Sequence, residues 1–335
     1  MNKKLNILIT GGVGFIGSYL CHALRAMGHF IRIVDVEKKN GVSSDSDYVI
    51  QDILDRDRLI DAMGSIDLVI HLAAKHRFFG ISTKEFFQVN EEGTRNVLWA
   101  MDAKGVKRVI FFSTVAIYGE TNGPSDEGTE PRPNTPYGIS KFAAENWIKK
   151  WASDSADKTA IILRPTVIFG PRNKGNIYRL IRQIYHRAYV PIGEGNNIKS
   201  IAYIDNIVKA TLFLTSMDLK GVNIFNYADS PHLPYREIVD IIYSGLGRKL
   251  RRYYLPLTPA VIISNGLDKI LNSTGVKFSL ATTIKKMNKE TYHKADKIVN
   301  LGFSPDCTSE EGLTRMVKWY LEGKNRSERV SRNGK

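Results

Sequence analysis

Residues 9–20 read ITGGVGFIGSYL: the end of an apolar run, then Gly11, Gly14 and Gly17 spaced three apart, then an amphipathic stretch. Glycines in that spacing allow a tight turn, close approach of the backbone to a bound group, and close packing of a helix on a strand. The alternation continues through the first half of the chain. NILIT, FIRIVDV, DLVIHLAA, RVIFFST and TAIILRP are short, β-rich runs. Between them lie amphipathic stretches such as SYLCHALRAMG, FFQVNEEGTRNVLWAMDAKG and SKFAAENWIKKWASD. This rhythm predicts βαβ units and an α/β chain with a parallel sheet covered on both faces. Gly28 and Gly105 stand where helices would end.

After Pro165 the rhythm changes. FGPRNKGN and PIGEGNNIKS read as loops, IYRLIRQIYHRA and IDNIVKATLFLTSM as helices, and VNIFNYA as a strand. From about residue 231 the pattern is mainly helical. The expected architecture is therefore a doubly wound (Rossmann) sheet with a smaller, mainly helical C-terminal lobe. The sheet domain is expected over 1–170 plus about 200–230, the lobe over 171–199 plus 231–323. Residues 324–335 carry five basic side chains against Glu328 and read as a basic, disordered tail.

A strand–glycine turn–helix with an acidic residue at the end of the second strand is a dinucleotide fingerprint. Asp35 lies 18 residues past Gly17. A carboxylate there accepts from both ribose hydroxyls and repels a 2′-phosphate, which favours NAD over NADP. Lys38 and Lys39 follow closely and could soften that preference.

The chain has 335 residues and a net charge of +14. No zinc-finger, RRM or basic-zipper pattern accompanies the charge, which argues against nucleic acid as the partner. The two cysteines, Cys21 and Cys307, cannot form a disulfide framework, and no Cys/His cluster has metal-ligand spacing. A reducing, cytoplasmic setting and no metal are expected. The N-terminal apolar run meets glycines too early for a signal peptide. Residues 255–271, LPLTPAVIISNGLDKIL, are interrupted by Pro259, Asn265, Asp268 and Lys269, so no membrane span is expected there, only a core or surface-seated helix.

TPYGISK, residues 135–141, sets Tyr137 and Lys141 one helical turn apart. Together with GGVGFIG, QDILD, HLAA, VNEEGTRNV, FFSTVAIYG, LRPTVIFGPR and GFSPDCTSEEGL, it resembles the extended short-chain dehydrogenase/reductase family in its nucleotide-sugar branch. The resemblance runs to about Lys324. It implies Thr114, Tyr137 and Lys141 as catalytic residues. A phenol with an ordinary pKa of about 10 is a poor base at neutral pH, and an ammonium one turn away favours its phenolate. The resemblance also implies cofactor contacts from Gly11, Gly14, Phe15, Ile16, Gly17, Asp35, Asp52, Ile53, Leu72, Ala73, Ala74, Asn90, Tyr137, Lys141 and Pro165. A homodimer and a part in polysaccharide biosynthesis are further family expectations. His71 reads as a core histidine, and Trp147 and Trp151 as helix packing.

Two departures narrow the chemistry. Val115 and Ala116 follow Thr114 where similar sugar dehydratases carry an Asp-Glu pair, which excludes elimination of water. Pro165, Thr166 and Val167 replace the Tyr-Phe-Asn of many sugar 4-epimerases, and Lys199 replaces an arginine. Arg172, Lys174, Asn176 and Lys199 are the candidates for binding substrate phosphates. The expectation is an NAD-dependent nucleotide-sugar epimerase or 4-ketoreductase. An NAD(P)-dependent dehydrogenase of a hydroxysteroid-like or other apolar alcohol is the alternative, and a non-catalytic dinucleotide sensor a third reading.

Overall fold

The computed structural model describes residues 4–37, 47–76, 80–121, 123–249, 254–273 and 279–333. Lys38, Lys39 and most of the RKLRR run lie outside them. The strands are β1 (Asn6–Thr10), β2 (Phe30–Asp35), β3 (Asp47–Ile50), β4 (Leu68–His71), β5 (Arg108–Phe112), β6 (Thr159–Pro165), β7 (Val167–Phe169), β8 (Ile198–Lys199), β9 (Ile201–Tyr203), β10 (Gly221–Tyr227) and β11 (Leu233–Pro234). The helices are α1 (Phe15–Ala26), α2 (Arg56–Ala62), α3 (Thr83–Phe87), α4 (Gly93–Ala103), α5 (Pro136–Ser153), α6 (Asn176–Tyr185), α7 (Ile204–Ser216), α8 (Tyr235–Gly245), α9 (Leu257–Ser273), α10 (Leu280–Asn288), α11 (Asp296–Asn300) and α12 (Ser309–Asn333).

Seven strands form one parallel sheet in the order β10-β6-β5-β4-β1-β2-β3. Their sequences explain the arrangement: LVIH and TAIILRP are buried along their whole length, as strands covered on both faces must be. Leu8, Val69, Val109, Phe111 and Ile162 pack in one core cluster with Met63, Val97, Met101, Ala144, Ile148 and Trp151. The order reverses direction between β1 and β4, the kind of switch point at which open α/β sheets take their ligands.

The chain divides into two compact units. The first comprises Met1–Ile168, Ile204–Ala228 and His293–Asp306. The second comprises Phe169–Tyr203, Asp229–Tyr292 and Cys307–Lys335. The sequence had put 293–306 in the smaller lobe, but polar contacts hold it to the sheet unit. His293 Nδ1 pairs with Ser125 Oγ at 2.6 Å, Asp306 N–H donates to Asn206 Oδ1 at 3.0 Å, and Asn226 Nδ2 donates to the Lys294 carbonyl at 3.1 Å.

In the second unit, α12 packs on α6, α8 and β9. It continues as helix through Asn333, so the stretch from Lys324, expected to be disordered, is helical. The expected apolar helix is α9, which pairs with α10 as a hairpin. Among the described residues no helix is long and apolar enough to cross a membrane.

Candidate active site

The glycine turn follows β1 and opens α1. A methyl group on Gly17 would lie 2.5 Å from the Gly11 carbonyl oxygen, so only glycine lets the helix start this close to the strand end. The cap of α1 is Gly14, which has no side chain to satisfy the first N–H groups of the helix. Phe15 and Ile16 begin α1, and both are partly exposed. At the end of β2, Asp35 Oδ2 accepts from Val13 N–H at 3.0 Å and Oδ1 from Glu37 N–H at 3.3 Å. Those two bonds fix the carboxylate beside the turn.

Tyr137 and Lys141 lie on α5, which starts where its sequence says it should. Thr135 Oγ1 accepts from Gly138 N–H at 3.1 Å as the N-cap, and Pro136 takes the first helical position. Gly138 has a second role. A Cβ there would lie 2.7 Å from the Ala116 carbonyl oxygen, so the glycine lets α5 close on the short 3₁₀ turn Val115–Tyr118. That approach brings Tyr137 within a side-chain hydrogen bond of Thr114. Thr114 Oγ1 also accepts from Ala116 N–H at 3.1 Å, which caps the turn.

Desolvation pushes the Tyr137 phenol up to about 12, and the bond with Thr114 offsets part of the rise. Lys141 is buried, and its own desolvation pulls the ammonium down to about 7 against the opposing pull of Glu145. Burial thus sets the proton affinities of both groups more strongly than any charge nearby.

A buried network supports this end of α5. Glu145, one turn past Lys141, is gripped at both oxygens by Arg164, at 2.9 Å from Nε and 2.6 Å from an Nη. Arg164 also donates to Tyr118 Oη at 2.9 Å, and Tyr118 in turn donates to Asn226 Oδ1 at 2.7 Å. Pro165 follows Arg164 as the last residue of β6 and is buried. Asn90 sits in a single π-helical turn, Gln88–Glu92. Its amide accepts from Lys75 N–H at 2.8 Å and donates to the Lys75 carbonyl at 3.0 Å and to Ser140 Oγ at 2.9 Å. Asn90 therefore ties the segment after β4 to the helix carrying Tyr137.

His71 ends β4, buried, between Thr10 Oγ1 at 2.6 Å from Nδ1 and Thr94 Oγ1 at 3.0 Å from Nε2. Burial, reinforced by Lys141, pushes it down to about 3. It is a neutral core histidine, as its sequence context suggested. Leu72, Ala73 and Ala74 follow it, half-buried, with Ala73 N–H donating to Thr10 Oγ1 at 3.2 Å. Asp52 is an exposed turn residue whose Oδ1 accepts from Leu54 N–H at 3.0 Å. Ile53 is buried, its carbonyl accepting from Asn96 Nδ2 at 3.1 Å. The two tryptophans pack as expected, with Trp151 Nε1 donating to Asp102 and Trp147 Nε1 to Glu91.

In the second unit Arg172, Lys174 and Asn176 are exposed, the first two on the loop before α6 and Asn176 as its first residue. Lys199 is the last residue of β8. Its ammonium donates to the Lys286 carbonyl at 3.2 Å and to the Lys289 carbonyl, at the C-terminal end of α10. This is a helix-end cap by a cation, favoured by the exposed carbonyls there.

Sequence reasoning missed two further groups. Ser113 Oγ and Thr166 Oγ1 are buried with no hydrogen-bond partner among the described residues. They follow β5 and β6, neighbours in the sheet, at the carboxyl ends where such sheets bind ligands. Unpaired buried hydroxyls are costly unless a bound group satisfies them. With the bare glycine turn and the fixed Asp35 carboxylate, they make the residues present a fit for a dinucleotide and its reacting partner.

A family model described as "NAD dependent epimerase/dehydratase family" matches residues 7–228. The chain belongs to that family. NAD is the cofactor for which the epimerase/dehydratase family is described. Among its members, the N-acetyl-alpha-D-glucosaminyl-diphospho-ditrans,octacis-undecaprenol 4-epimerase of Escherichia coli O157:H7 is 34% identical over 316 residues, covering 94% of this chain and 95% of that one. A UDP-N-acetylglucosamine 4-epimerase from Methanobrevibacter ruminantium M1, solved with UDP-N-acetylmuramic acid, superposes with a TM-score of 0.76 at 25% identity, covering 96% and 99% of the two chains. A UDP-glucose 4-epimerase from Thermotoga maritima, solved with UDP-glucose, gives a TM-score of 0.77 at 24% identity over 95% and 99%, a likeness of fold.

Proposed function

We propose that this chain is an NAD-dependent 4-epimerase of a diphosphate-linked sugar, with Tyr137 as its acid and base. The observation that carries the reading is the hydrogen-bonded Thr114–Tyr137 pair, one turn before a buried Lys141, in a chain with the glycine turn and Asp35. Bound NAD supplies the capacity to take hydride from the sugar carbon and to return it. As the phenolate, Tyr137 Oη would take the proton of the sugar hydroxyl during oxidation, and as the phenol give it back after the ring has presented its other face. Thr114 Oγ1 holds the same oxygen. Lys141, when protonated, favours the phenolate by charge. Asp35 would hold the adenosine ribose hydroxyls, and the first N–H groups of α1 would hold the pyrophosphate. Val115 and Ala116 offer no carboxylate, so the reaction stops at proton and hydride exchange.

On the substrate side, Arg172, Lys174 and Asn176 are the candidates for the diphosphate. A nucleotide beyond that diphosphate is the reading the family branch favours. A polyprenyl chain is the second reading. It is favoured by the 34% identity to a relative named for an undecaprenol-linked sugar, and by Pro165-Thr166-Val167 standing where many nucleotide-sugar epimerases carry Tyr-Phe-Asn. The apolar-alcohol dehydrogenase is less supported, because these relatives are sugar epimerases. A homodimer working in the cytoplasm completes the proposal, and sedimentation of the purified chain tests the dimer.

The test is to incubate the purified chain with a panel of UDP-sugars and with undecaprenyl-diphospho-N-acetylglucosamine, separating products by C4 configuration. A C4 epimer formed without net NADH supports the proposal. One NADH consumed per keto sugar would indicate a ketoreductase, and no conversion of any sugar diphosphate would sink the reading.

A further inference from the structure

We propose that the outer face of the α9–α10 hairpin is a docking surface for an anionic lipid bilayer. Helix α9 turns its faces the opposite way from a helix that meets water. Its buried positions, one turn apart, are Ala260, Ser264 and Asp268, at 6–7% exposure. Its large apolar side chains point outward: Ile262 is 65% exposed, Ile263 63% and Leu267 46%. Leu257 on the same helix, and Tyr254 and Leu255 just before it, extend the exposed apolar surface.

The inversion is locked. The Asp268 carboxylate accepts from Ser279 Oγ at 2.7 Å, from Leu280 N–H at 2.7 Å and from Ala281 N–H at 3.1 Å. It thereby caps the start of α10 from the neighbouring helix. Rotating α9 to hide its isoleucines would expose Ala260 and Ser264 while tearing away those three bonds. The exposed apolar face is therefore built into the hairpin, and large exposed apolar patches mark interaction surfaces.

The charges select the occupant. From Leu257 to Lys289 the charged side chains of the described residues are Lys269, Lys285, Lys286, Lys289 and the inward-facing Asp268. All four lysines are exposed. A second copy of the same face would bring like charges together, whereas the negative surface of a bilayer attracts them. Exposed apolar side chains and exposed lysines on one hairpin suit a helix lying in the interface rather than crossing it. The surface stands on its own observations. Joined to the polyprenyl reading, it would hold the enzyme at the plane where a lipid-linked diphosphate resides.

The experiment is vesicle flotation of the full chain, which needs no turnover and so fails independently of the epimerase reading. Vesicles of phosphatidylglycerol and phosphatidylethanolamine are compared with phosphatidylcholine alone, at low and high salt. The comparison is repeated for Ile262→Gln/Ile263→Gln, whose exposed positions leave the fold intact, as a matching thermal melt would verify. The expected result is flotation of the wild type with anionic vesicles only, weakened by salt, and at least a tenfold loss of bound fraction for the double variant. No flotation of the wild type, or equal flotation of the variant, would overturn the proposal. So would a wild-type dimer in sedimentation that the double variant converts to monomer, since the occupant would then be a second copy.

Discussion

The Lys141 ammonium lies 3.9 Å from the centroid of the Phe111 ring, at the buried end of the proposed catalytic helix. A ring face attracts a cation but solvates it poorly compared with water, so the charge sits there at a cost. That cost is why the group is pulled down to about 7.

A stability prediction follows from Lys141. Its folded pKa of about 7 lies below its ordinary 10.5. Between those values the unfolded chain holds the extra proton, so this group makes stability rise with pH; below 7 both states are protonated and the full penalty stands. Lys141→Met should therefore stabilise the cofactor-free protein at pH 6, by at most about 5 kcal/mol at about 1.4 kcal/mol per pKa unit, and raise its Tm. The gain should shrink as pH rises toward 10. Calorimetry at several pH values checks this, and a gain independent of pH would contradict the buried-charge account.

Tyr137→Phe removes the exchangeable proton but keeps the ring packed on Phe86, 6.2 Å away between centroids. We expect kcat for epimerisation to fall about 100- to 10,000-fold, as for loss of a general acid–base group, with NAD still bound. Product analysis and release of NAD on denaturation provide the two readouts. Unchanged turnover would restore the non-catalytic sensor reading.

Asp35→Ser should weaken NAD binding by roughly 10- to 100-fold, the loss of charge-assisted bonds worth about 1.5–3 kcal/mol. NADP should suffer less, because the repelled 2′-phosphate no longer faces a carboxylate. Titration of both cofactors by protein fluorescence measures the change in preference. Equal losses for the two would show that Asp35 only braces the glycine turn through Val13.

Glu145→Gln leaves Arg164 buried without its counter-charge, and breaking a buried pair in this way costs about 3–5 kcal/mol. The thermal transition should drop clearly. An unchanged melting temperature would mean that Tyr118 alone satisfies the guanidinium.

Much of this was legible in the sequence, since strand rhythm and glycine spacing are local signals. Tyr137 and Thr114 were proposed from motif and order, although the reason they meet, the missing side chain of Gly138, is visible only in three dimensions. Glu145 and Arg164 stand 19 residues apart, and nothing in either segment announces the other. The bonds that Lys199 makes to the end of α10 could not be read, because the two carbonyls lie 87 and 90 residues further along the chain. The orphan hydroxyls of Ser113 and Thr166 could not be read at all, because the lack of a partner is a property of packing.

The hydroxyls around His71 can be assigned a single direction. Thr94 spends its one hydroxyl proton on the Asn90 carbonyl, at 2.6 Å, so its oxygen must accept from His71 Nε2. Nδ1 is then an acceptor, filled by Thr10, whose own oxygen takes the Ala73 N–H. Every proton in this row of groups is committed to one acceptor. The imidazole is thus held in one tautomer, its proton on Nε2, and the end of β4 is anchored at once to β1 through Thr10 and to α4 through Thr94.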